Sequence, residues 1–221
     1  MSRLNKRAWT NNQLTEHTKI QIYKACVLST LLYGSETWVL HARHEKRLNV
    51  FHMRQIRRIL KISWKDRVTN NATLERAQLP SMFTLLKQRR MRWLGHVARM
   101  EDGRIPKDLL YGELVKGVRP RGRPNLRFKD ICKRDMKALN ISTDTWENMT
   151  ANRDAWKYTV QVGLNSYEAS LRQKSETLRL QRKSRRQSDL QPSTFVCNYC
   201  SKDCHTHIGL TSHKRRCKPR P

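Results

Sequence analysis

The sequence predicts a mainly α-helical protein, an irregular bundle of helices followed by a basic linker and a small ββα-type zinc finger. Before about position 165, apolar residues recur at helical spacing, and after it they become sparse. Near the C-terminus, cysteine and histidine residues lie at metal-ligand spacing. We therefore expect three segments: a helical core over 1–165, a polar, basic helix or linker over 166–194, and a zinc finger over 195–221.

Two helices are predicted before residue 63. The first spans Asn12 to Tyr33 and is stopped by Gly34, and the second runs from about His44 to Ile62. The second helix separates an apolar side from a cationic side that carries no acid. Such a cationic side is typical of a solvated helix or of a phosphate-facing surface, and we favour the latter. The apolar residues are Leu48, Phe51, Ile56, Ile59 and Leu60; the cations are Lys46, Arg47, Arg54, Arg57, Arg58 and Lys61. The candidate phosphate contacts are Arg54, Arg57, Arg58 and Lys61.

Further helices are predicted along the rest of the core segment. Arg89 and Arg90 interrupt the apolar stripe of one of them, so either they extend to solvent or they reach a partner. His52 lies on the apolar side of its helix and is expected to be a buried core histidine. The predicted helices are Ala72–Gln78, Ser81 to about Met100, a weaker piece at Lys107–Leu114, Leu126–Leu139, one beginning near Asp144, Arg153–Val162, and a frayed or exposed helix over Ser166–Gln187.

The charge of the chain indicates an anionic partner. In 221 residues, Lys and Arg number 46 against 18 Asp and Glu, which gives a formal net charge of +28. Self-repulsion of this size disfavours a compact state unless a polyanion neutralises it. Nucleic acid, RNA or DNA, is the expected partner because each neutralised phosphate releases counterions. An anionic membrane surface is the alternative.

Cysteine usage and hydropathy predict an intracellular protein, with the nucleus favoured over the cytoplasm. No apolar run is long enough to cross a membrane, and the basic N-terminus lacks the apolar region of a signal peptide. Four of the six cysteines fall within 21 residues at metal spacing, which indicates a reducing compartment rather than disulfides. Cys26 and Cys132 are expected to be inert core thiols.

The C-terminal ligand set predicts a closed tetrahedral zinc site. Cys197 and Cys200 form a Cys-x2-Cys knuckle, and His213 and Cys217 follow at i, i+4 on one face of a predicted helix. The metal ligands are therefore expected to be Cys197, Cys200, His213 and Cys217. Cys204, His205 and His207 are alternative ligands: we expect Cys204 to fill the small core and the two histidines to be solvated or to support the ligands.

Two motifs bear on how nucleic acid would be recognised. Pro120–Pro124 matches the core of an AT-hook, in which Arg121 and Arg123 would enter a narrow A·T minor groove, but it serves equally well as a structured turn. The base-reading positions of the finger would be Thr206, Gly209 and Ser212, which discriminate bases poorly. Generic phosphate contacts are expected instead from Lys214, Arg215 and Arg216.

Three blocks of the chain resemble the C-terminal part of a LINE-type (non-LTR) retrotransposon reverse transcriptase. They are Leu31–Trp38 (LLYGSETW), Arg92–Asp102 (RWLGHVARMED) and Gly117–Pro124 (GVRPRGRP), and the closing zinc knuckle follows them in the same order. The resemblance covers about Trp9 to Cys217. It implies a helical, thumb-like region followed by a nucleic-acid-binding tail within a larger enzyme that copies RNA into DNA.

The sequence lacks the catalytic residues of that family. A reverse transcriptase needs adjacent aspartates that hold two metal ions, and no Asp-Asp pair occurs here. We therefore predict no catalytic residues, and expect a polymerase core to lie before this region in a complete element. The leading interpretation is a non-catalytic, transposon-derived zinc-finger protein that binds nucleic acid mainly through phosphate contacts. A full-length retroelement protein is a candidate partner. The alternatives are a sequence-specific zinc-finger DNA-binding regulator and an inert, truncated retroelement relic.

Overall fold

The computed structural model describes residues 4–112, 126–188, 195–204 and 206–217, except for the side chains of 186–188. The chain divides into two compact units, which we call the helical unit (Met1–Ser170) and the C-terminal unit (Leu171–Pro221). The described residues are mainly helical, which confirms the predicted fold class. Within them, the pairing of extended chain is limited to one antiparallel bridge, between Val196 and Asp203. The three predicted segments stay a prediction.

The helices follow one another with short connections. A π-helical turn, Asn5–Trp9, comes first. Helix α1 is α-helical over Glu16–Ile22, π-helical over Tyr23–Leu28 and α-helical again over Ser29–Leu31. The next helices are α2 (Ala42–Ile59), α3 (Asn70–Ala77), α4 (Met82–Ala98), α5 (Ile105–Tyr111), α6 (Phe128–Ala138) and α7 (Trp146–Ala151). Helix α8 (Arg153–Ser188) and helix α9 (His207–Lys214) complete the described structure.

Two expectations are corrected. Cys26 is exposed rather than in the core, whereas Cys132 is buried as expected. In the π-helical stretch of α1, hydrogen bonds span five residues instead of four, so Tyr23 and Val27 are buried and Cys26 faces solvent. The helix expected to end near Val162 continues to Ser188 as α8, although most of its second half is exposed, as predicted.

Two apolar clusters form the core of the helical unit, and α4 belongs to both. The first collects α1, α2 and α3 together with Met82 and Leu86 from the start of α4. The second collects α6, α7 and the first half of α8 together with Met91 and Leu94 from the rest of α4. Burial of each large apolar side chain contributes about 1.5–3 kcal/mol. Helix α4 therefore carries the packing of one half of the unit into the other.

The contact between α4 and α8 depends on a glycine. The indole Nε1–H of buried Trp156 donates to the carbonyl oxygen of Met91 at 2.9 Å. A Cβ at Gly95 would lie 2.3 Å from that Nε1 atom, so a larger residue there would displace the indole. Gly95 thus allows α8 to approach α4 closely.

A buried ion-pair cluster connects α2, α4 and α6. Asp135 is fully buried on α6, and its carboxylate accepts hydrogen bonds from Lys87 Nζ and, at 2.6 Å, from Arg90 Nε. Arg90, which is 1% exposed, also donates to Glu45 of α2 at 3.3 Å. Lys87 Nζ lies 4.9 Å from the centre of the Tyr167 ring. Arg90, one of the two arginines that interrupt the apolar stripe of α4, therefore reaches an internal partner rather than solvent.

Glu168 of α8 caps the beginning of α4. Its carboxylate accepts hydrogen bonds from the backbone N–H and the hydroxyl of Ser81, at 3.3 and 3.0 Å, and from the hydroxyl of Thr84. An acid at this end also interacts favourably with the helix dipole. The same carboxylate therefore satisfies the helix terminus and holds α8 against it.

We predict that Asp135→Asn destabilises the helical unit by about 3–5 kcal/mol, because it leaves Lys87 buried without a counter-charge and Arg90 with Glu45 alone. The matched control is Asp130→Asn on the same helix, which pairs with the exposed Arg127 side chain and accepts from the Arg127 N–H. Asparagine keeps an acceptor for that N–H, so the control should cost less than about 1 kcal/mol. Urea unfolding followed by tryptophan fluorescence measures both, because all six tryptophans lie between residues 9 and 156. Equal losses for the two variants would contradict the assigned role of Asp135.

His52 is a buried core histidine, as the sequence predicts. Its Nε2 lies 3.2 Å from the carbonyl oxygen of Pro80 and its Nδ1 lies 2.9 Å from the Tyr23 hydroxyl. Because the carbonyl can only accept, Nε2 carries the proton and Nδ1 accepts from Tyr23. Burial lowers the pKa of His52 to about 4, although the Pro80 contact and the charge of Glu168 act in the opposite direction.

The lowered pKa predicts a loss of stability in acid. The unfolded chain takes up a proton at His52 near its ordinary pKa of about 6.5, and the folded chain does so only near 4. The free energy of unfolding should thus fall as pH falls through this window, by up to about 3 kcal/mol from this residue. His52→Gln keeps a donor and an acceptor but does not titrate. Urea unfolding at pH 7 and pH 4.5 should show a smaller drop for the variant; identical drops would contradict the prediction.

Candidate metal centre and cationic surfaces

A short hairpin supplies the first pair of candidate ligands. Val196 and Asp203 form the antiparallel bridge, and the N–H of Ser201 donates to the carbonyl oxygen of Cys197 at 2.8 Å. Ser201 has a φ of +54°, which closes the turn. Cys197 and Cys200 therefore lie on a single tight turn, as the Cys-x2-Cys spacing predicts.

Helix α9 supplies the second pair. The hydroxyl of Thr206 accepts from the N–H of Gly209 at 3.0 Å and caps the helix. A Cβ at Gly209 would lie 2.5 Å from the carbonyl oxygen of Cys204, so the hairpin and the helix meet where only glycine fits. The N–H of Cys217 donates to the carbonyl oxygen of His213 at 2.9 Å. This bond continues the helical pattern and places His213 and Cys217 on one face.

The four side chains converge on one point. One ligand atom from each of Cys197, Cys200, His213 and Cys217 lies within 4.8 Å of the other three. Cys197 Sγ is 4.0 Å from Cys217 Sγ, and Cys200 Sγ is 3.1 Å from His213 Nε2. With bonds of about 2.3 Å to sulfur and 2.1 Å to nitrogen, tetrahedral zinc would separate its ligands by about 3.5–3.8 Å. The donor set suits zinc, and the four atoms are near enough to hold a metal ion after small side-chain shifts; the identity of the ion stays a prediction.

The surroundings of Cys197 favour its thiolate. Hydrogen bonds from the backbone of Tyr199 and Cys200 lower the pKa of Cys197 to about 6. Removal from water, with the neighbouring thiols Cys200 and Cys197, raises the pKa of Cys217 to about 11. Because a metal ion binds thiolates and its binding releases their protons, metal affinity should fall as pH falls.

The alternative ligands lie outside this group of four. Cys204 is half-buried, and its Sγ is 3.6 Å from the carbonyl oxygen of Lys202. The ring of His207 packs edge-on against Phe195, with 6.1 Å between the ring centres. Phe195 and the half-buried Leu210 supply apolar surface next to the ligands. His205 lies outside the described residues.

The cations predicted to contact phosphate differ in their surroundings. Arg54 and Arg58 of α2 are exposed, and in the described part of the chain they form no side-chain hydrogen bond or ion pair. Lys61 is exposed and donates to Asn12 Oδ1 at 2.9 Å. Arg57 is half-buried and donates to the carbonyl oxygen of Val68 at 2.7 Å. Arg57 therefore fastens the segment before α3 to α2, a structural role that the helical pattern does not indicate.

The remaining residues predicted to contact nucleic acid fall into two groups, one in the C-terminal unit and one outside the described residues. Lys214, Arg215 and Arg216 are all exposed between the ligands His213 and Cys217. Arg121 and Arg123 of the AT-hook-like motif fall outside the described residues. Their prediction as nucleic-acid contacts stays a prediction.

Trp64 is a candidate contact for nucleic acid that the sequence analysis did not identify. Its side chain is 84% exposed, on a turn held by a hydrogen bond of 2.7 Å from the N–H of Ser63 to Asp66. Lys61 and Lys65, on either side of it in sequence, are exposed. The signal that could have revealed Trp64 is an aromatic residue flanked by cations outside any apolar stripe.

Together, the fold and the site define a helical protein with a C-terminal Cys3His cluster able to hold a metal ion. The chain is similar to an uncharacterized transposon-derived protein of Caenorhabditis elegans, F52C9.6, with 23% identity over 155 residues. The match covers 66% of this chain and 56% of that protein, so the chain spans little more than half the length of this relative. No protein-family model and no solved structure matches the chain. Among the described helices, none is both long enough and apolar enough to cross a lipid bilayer.

We predict that the full-length chain binds one zinc ion and that the ion orders residues 195–217. Cys217→Ser should abolish stoichiometric zinc binding, whereas the control Cys204→Ser should retain it, because Cys204 lies outside the cluster. A chelator should collapse the dispersed amide NMR signals of residues 195–217 and leave tryptophan fluorescence unchanged. Loss of zinc in both variants, or a tail whose signals ignore the chelator, would disprove this assignment.

Proposed function

We propose that this chain is a non-catalytic, transposon-derived protein that binds nucleic acid mainly through phosphate contacts and uses zinc to fold its C-terminal finger. The observation that carries the proposal is the Cys3His cluster with exposed Lys214, Arg215 and Arg216 set between two of its ligands. Folding the finger around a metal ion would order these three cations next to one another.

Transposon origin is supported by two similarities of the sequence. The chain is similar to a protein named as transposon-derived. Its three tryptophan- or arginine-containing blocks also resemble a LINE-type reverse transcriptase. On this proposal, the helical unit descends from the thumb-like region of such an enzyme, and its role in binding is separate from polymerisation.

Nucleic-acid binding is supported by the distribution of charge. The chain carries a formal net charge of +28. Exposed cations lie on α2, at Arg54 and Arg58, and beside the metal cluster. Cations in both units suit a polyanion, whose many phosphates can each be contacted.

The finger is proposed to contribute affinity rather than base selectivity. Its base-reading positions carry Thr206, Gly209 and Ser212, which offer at most a hydroxyl to a base edge. Zinc, held by the two cysteines of the hairpin and by His213 and Cys217, would clamp the hairpin against α9. Structural zinc contributes roughly 10–16 kcal/mol to folding in comparable small modules.

We predict that the 221-residue chain binds RNA and DNA of unrelated sequence with affinities that fall steeply with salt. Log affinity should fall linearly with log salt concentration, with a slope of about −0.7 to −0.9 per neutralised phosphate. Fluorescence anisotropy with labelled probes of about 20 nucleotides measures the affinity at several salt concentrations. Probes of this length offer more phosphates than the roughly 6–10 that a typical protein contacts. A slope near zero would disprove the proposal.

A charge-matched comparison assigns the contacts. Lys214→Ala/Arg215→Ala should reduce the slope by about 1.5 and weaken all probes uniformly. The control is Lys133→Ala/Lys137→Ala on α6, which removes two exposed cations far in sequence from the finger. Equal effects of the two pairs would contradict a specific role for the finger.

A further inference from the structure

A cleft lies between α4 and the first turns of α8, within the helical unit. Its volume is about 980 Å³, at the upper end of the roughly 300–1,000 Å³ of small-molecule sites. Trp156 forms part of its wall and is held in place by the hydrogen bond to Met91. The cleft is open to solvent, because Arg92, His96 and Lys157 along its rim are exposed.

The charged residues of the cleft are mostly cations, and some already have partners. Arg89 donates to the carbonyl oxygen of Leu32 at 2.9 Å and lies 3.7 Å from the Glu36 carboxylate. Arg99 donates to the carbonyl oxygen of Thr150 at 2.9 Å. These two arginines hold the surrounding structure together, so they are not counted as ligand contacts.

Three further cations of the cleft are exposed and uncommitted. Within the described residues, the side chains of Arg92, Arg153 and Lys157 form no hydrogen bond or ion pair. Arg153 and Lys157 stand one turn apart on α8 and share a face, and Arg92 approaches from α4. The only acid beside them in the lining, apart from the paired Glu36, is Asp154. This arrangement favours a ligand with more than one negative charge.

An aromatic pair lines the same cleft. Trp93 of α4 is half-buried, and its ring centre is 5.4 Å from that of His96, with the planes inclined at 49°. Both rings line the cleft together with the cations. Stacking of a nucleic-acid base on an aromatic side chain contributes about 1–3 kcal/mol.

We propose that this cleft binds a single-stranded segment of nucleic acid, with phosphates on Arg92, Arg153 and Lys157 and a base stacked on Trp93 and His96. A base within a duplex is already stacked on both sides, so only an unpaired base can reach a ring inside a cleft. The open rim lets a strand enter and leave, which a mononucleotide site would not require. The inference rests on the proposed function and adds to it a site that reads strandedness.

The test uses the 221-residue chain and three fluorescein-labelled probes: oligo(dT), oligo(U), and an abasic strand with the same number of phosphates. Each probe has about 12 nucleotides, because single-strand sites cover about 4–16 nucleotides. Arg92→Ala/Lys157→Ala should weaken binding of all three probes about tenfold and reduce the salt slope by about 1.4. The matched pair Lys133→Ala/Lys137→Ala on α6 should weaken binding clearly less. Equal losses for the two pairs would overturn the assignment of the cleft.

The stacking contact is tested separately with Trp93→Leu and Trp93→Phe. Leucine keeps apolar bulk against the core but removes the ring, so it should weaken the base-bearing probes roughly five- to a hundredfold and leave the abasic probe unchanged. Phenylalanine should retain most of the affinity. If Trp93→Leu does not fold, as judged by its melting curve, His96→Ala at an exposed position gives a smaller loss with the same selectivity. Variants that weaken base-bearing and abasic probes alike would overturn the stacking assignment.

The outcomes separate this inference from the proposed function. If the unmodified chain binds none of the probes, the proposed function itself fails before any variant is compared. If the chain binds and only the finger variants weaken it, the proposed function stands and the cleft is wrong. Trp93→Leu should weaken binding of the single-stranded probes and leave binding of a duplex of the same length unchanged, which would support selectivity for single strands. Equal weakening of single-stranded and duplex probes would count against that selectivity.

Discussion

The buried carboxylate of Asp135 is the contact on which the arrangement of the helical unit depends. It lies on α6, it is bound by Lys87 and Arg90 of α4, and through Arg90 it is connected to Glu45 of α2. Removing these charges from water is costly, and a buried ion pair is weak evidence for net stability. Its stronger effect is on geometry, because these cations can be neutralised only where the three helices meet in one register.

The few acids of the chain are partly used by the fold itself. The chain has 18 acids against 46 cations, and several acids serve the fold itself. Asp135 is internal, Glu168 caps α4, and Asp66 closes a turn of the backbone. Acids used in this way cannot neutralise exposed cations elsewhere. Because Asp135 is itself buried with two cations, Lys87 and Arg90, the positive charge of the surface comes from the composition of the chain, 46 cations against 18 acids, and not from the burial of acids.

The periodic features were predictable from the sequence, and the features that depend on tertiary contact were not. The faces of α2 and the convergence of the metal ligands follow from local spacing, so Leu48 to Leu60 and Cys197 to Cys217 were identifiable. The burial of Arg90 was not, because its partner on α6 lies 45 residues away. Arg57 likewise looks like a surface cation until the loop that it holds is in place. The cleft required knowing that Gly95 lets α8 approach α4, which no periodicity reveals.

Gly209 has a consequence for how such a finger could change over time. Its position on α9 is one from which a base would be read, yet the carbonyl oxygen of Cys204 occupies the space that a side chain would need. Acquiring a selective residue there would require the hairpin to move as well, so no single substitution opens that route. Ser212, another of the base-reading positions, is exposed, so a change toward base selectivity would begin there rather than at Gly209. The backbone of the candidate metal site thereby limits which substitutions are within mutational reach.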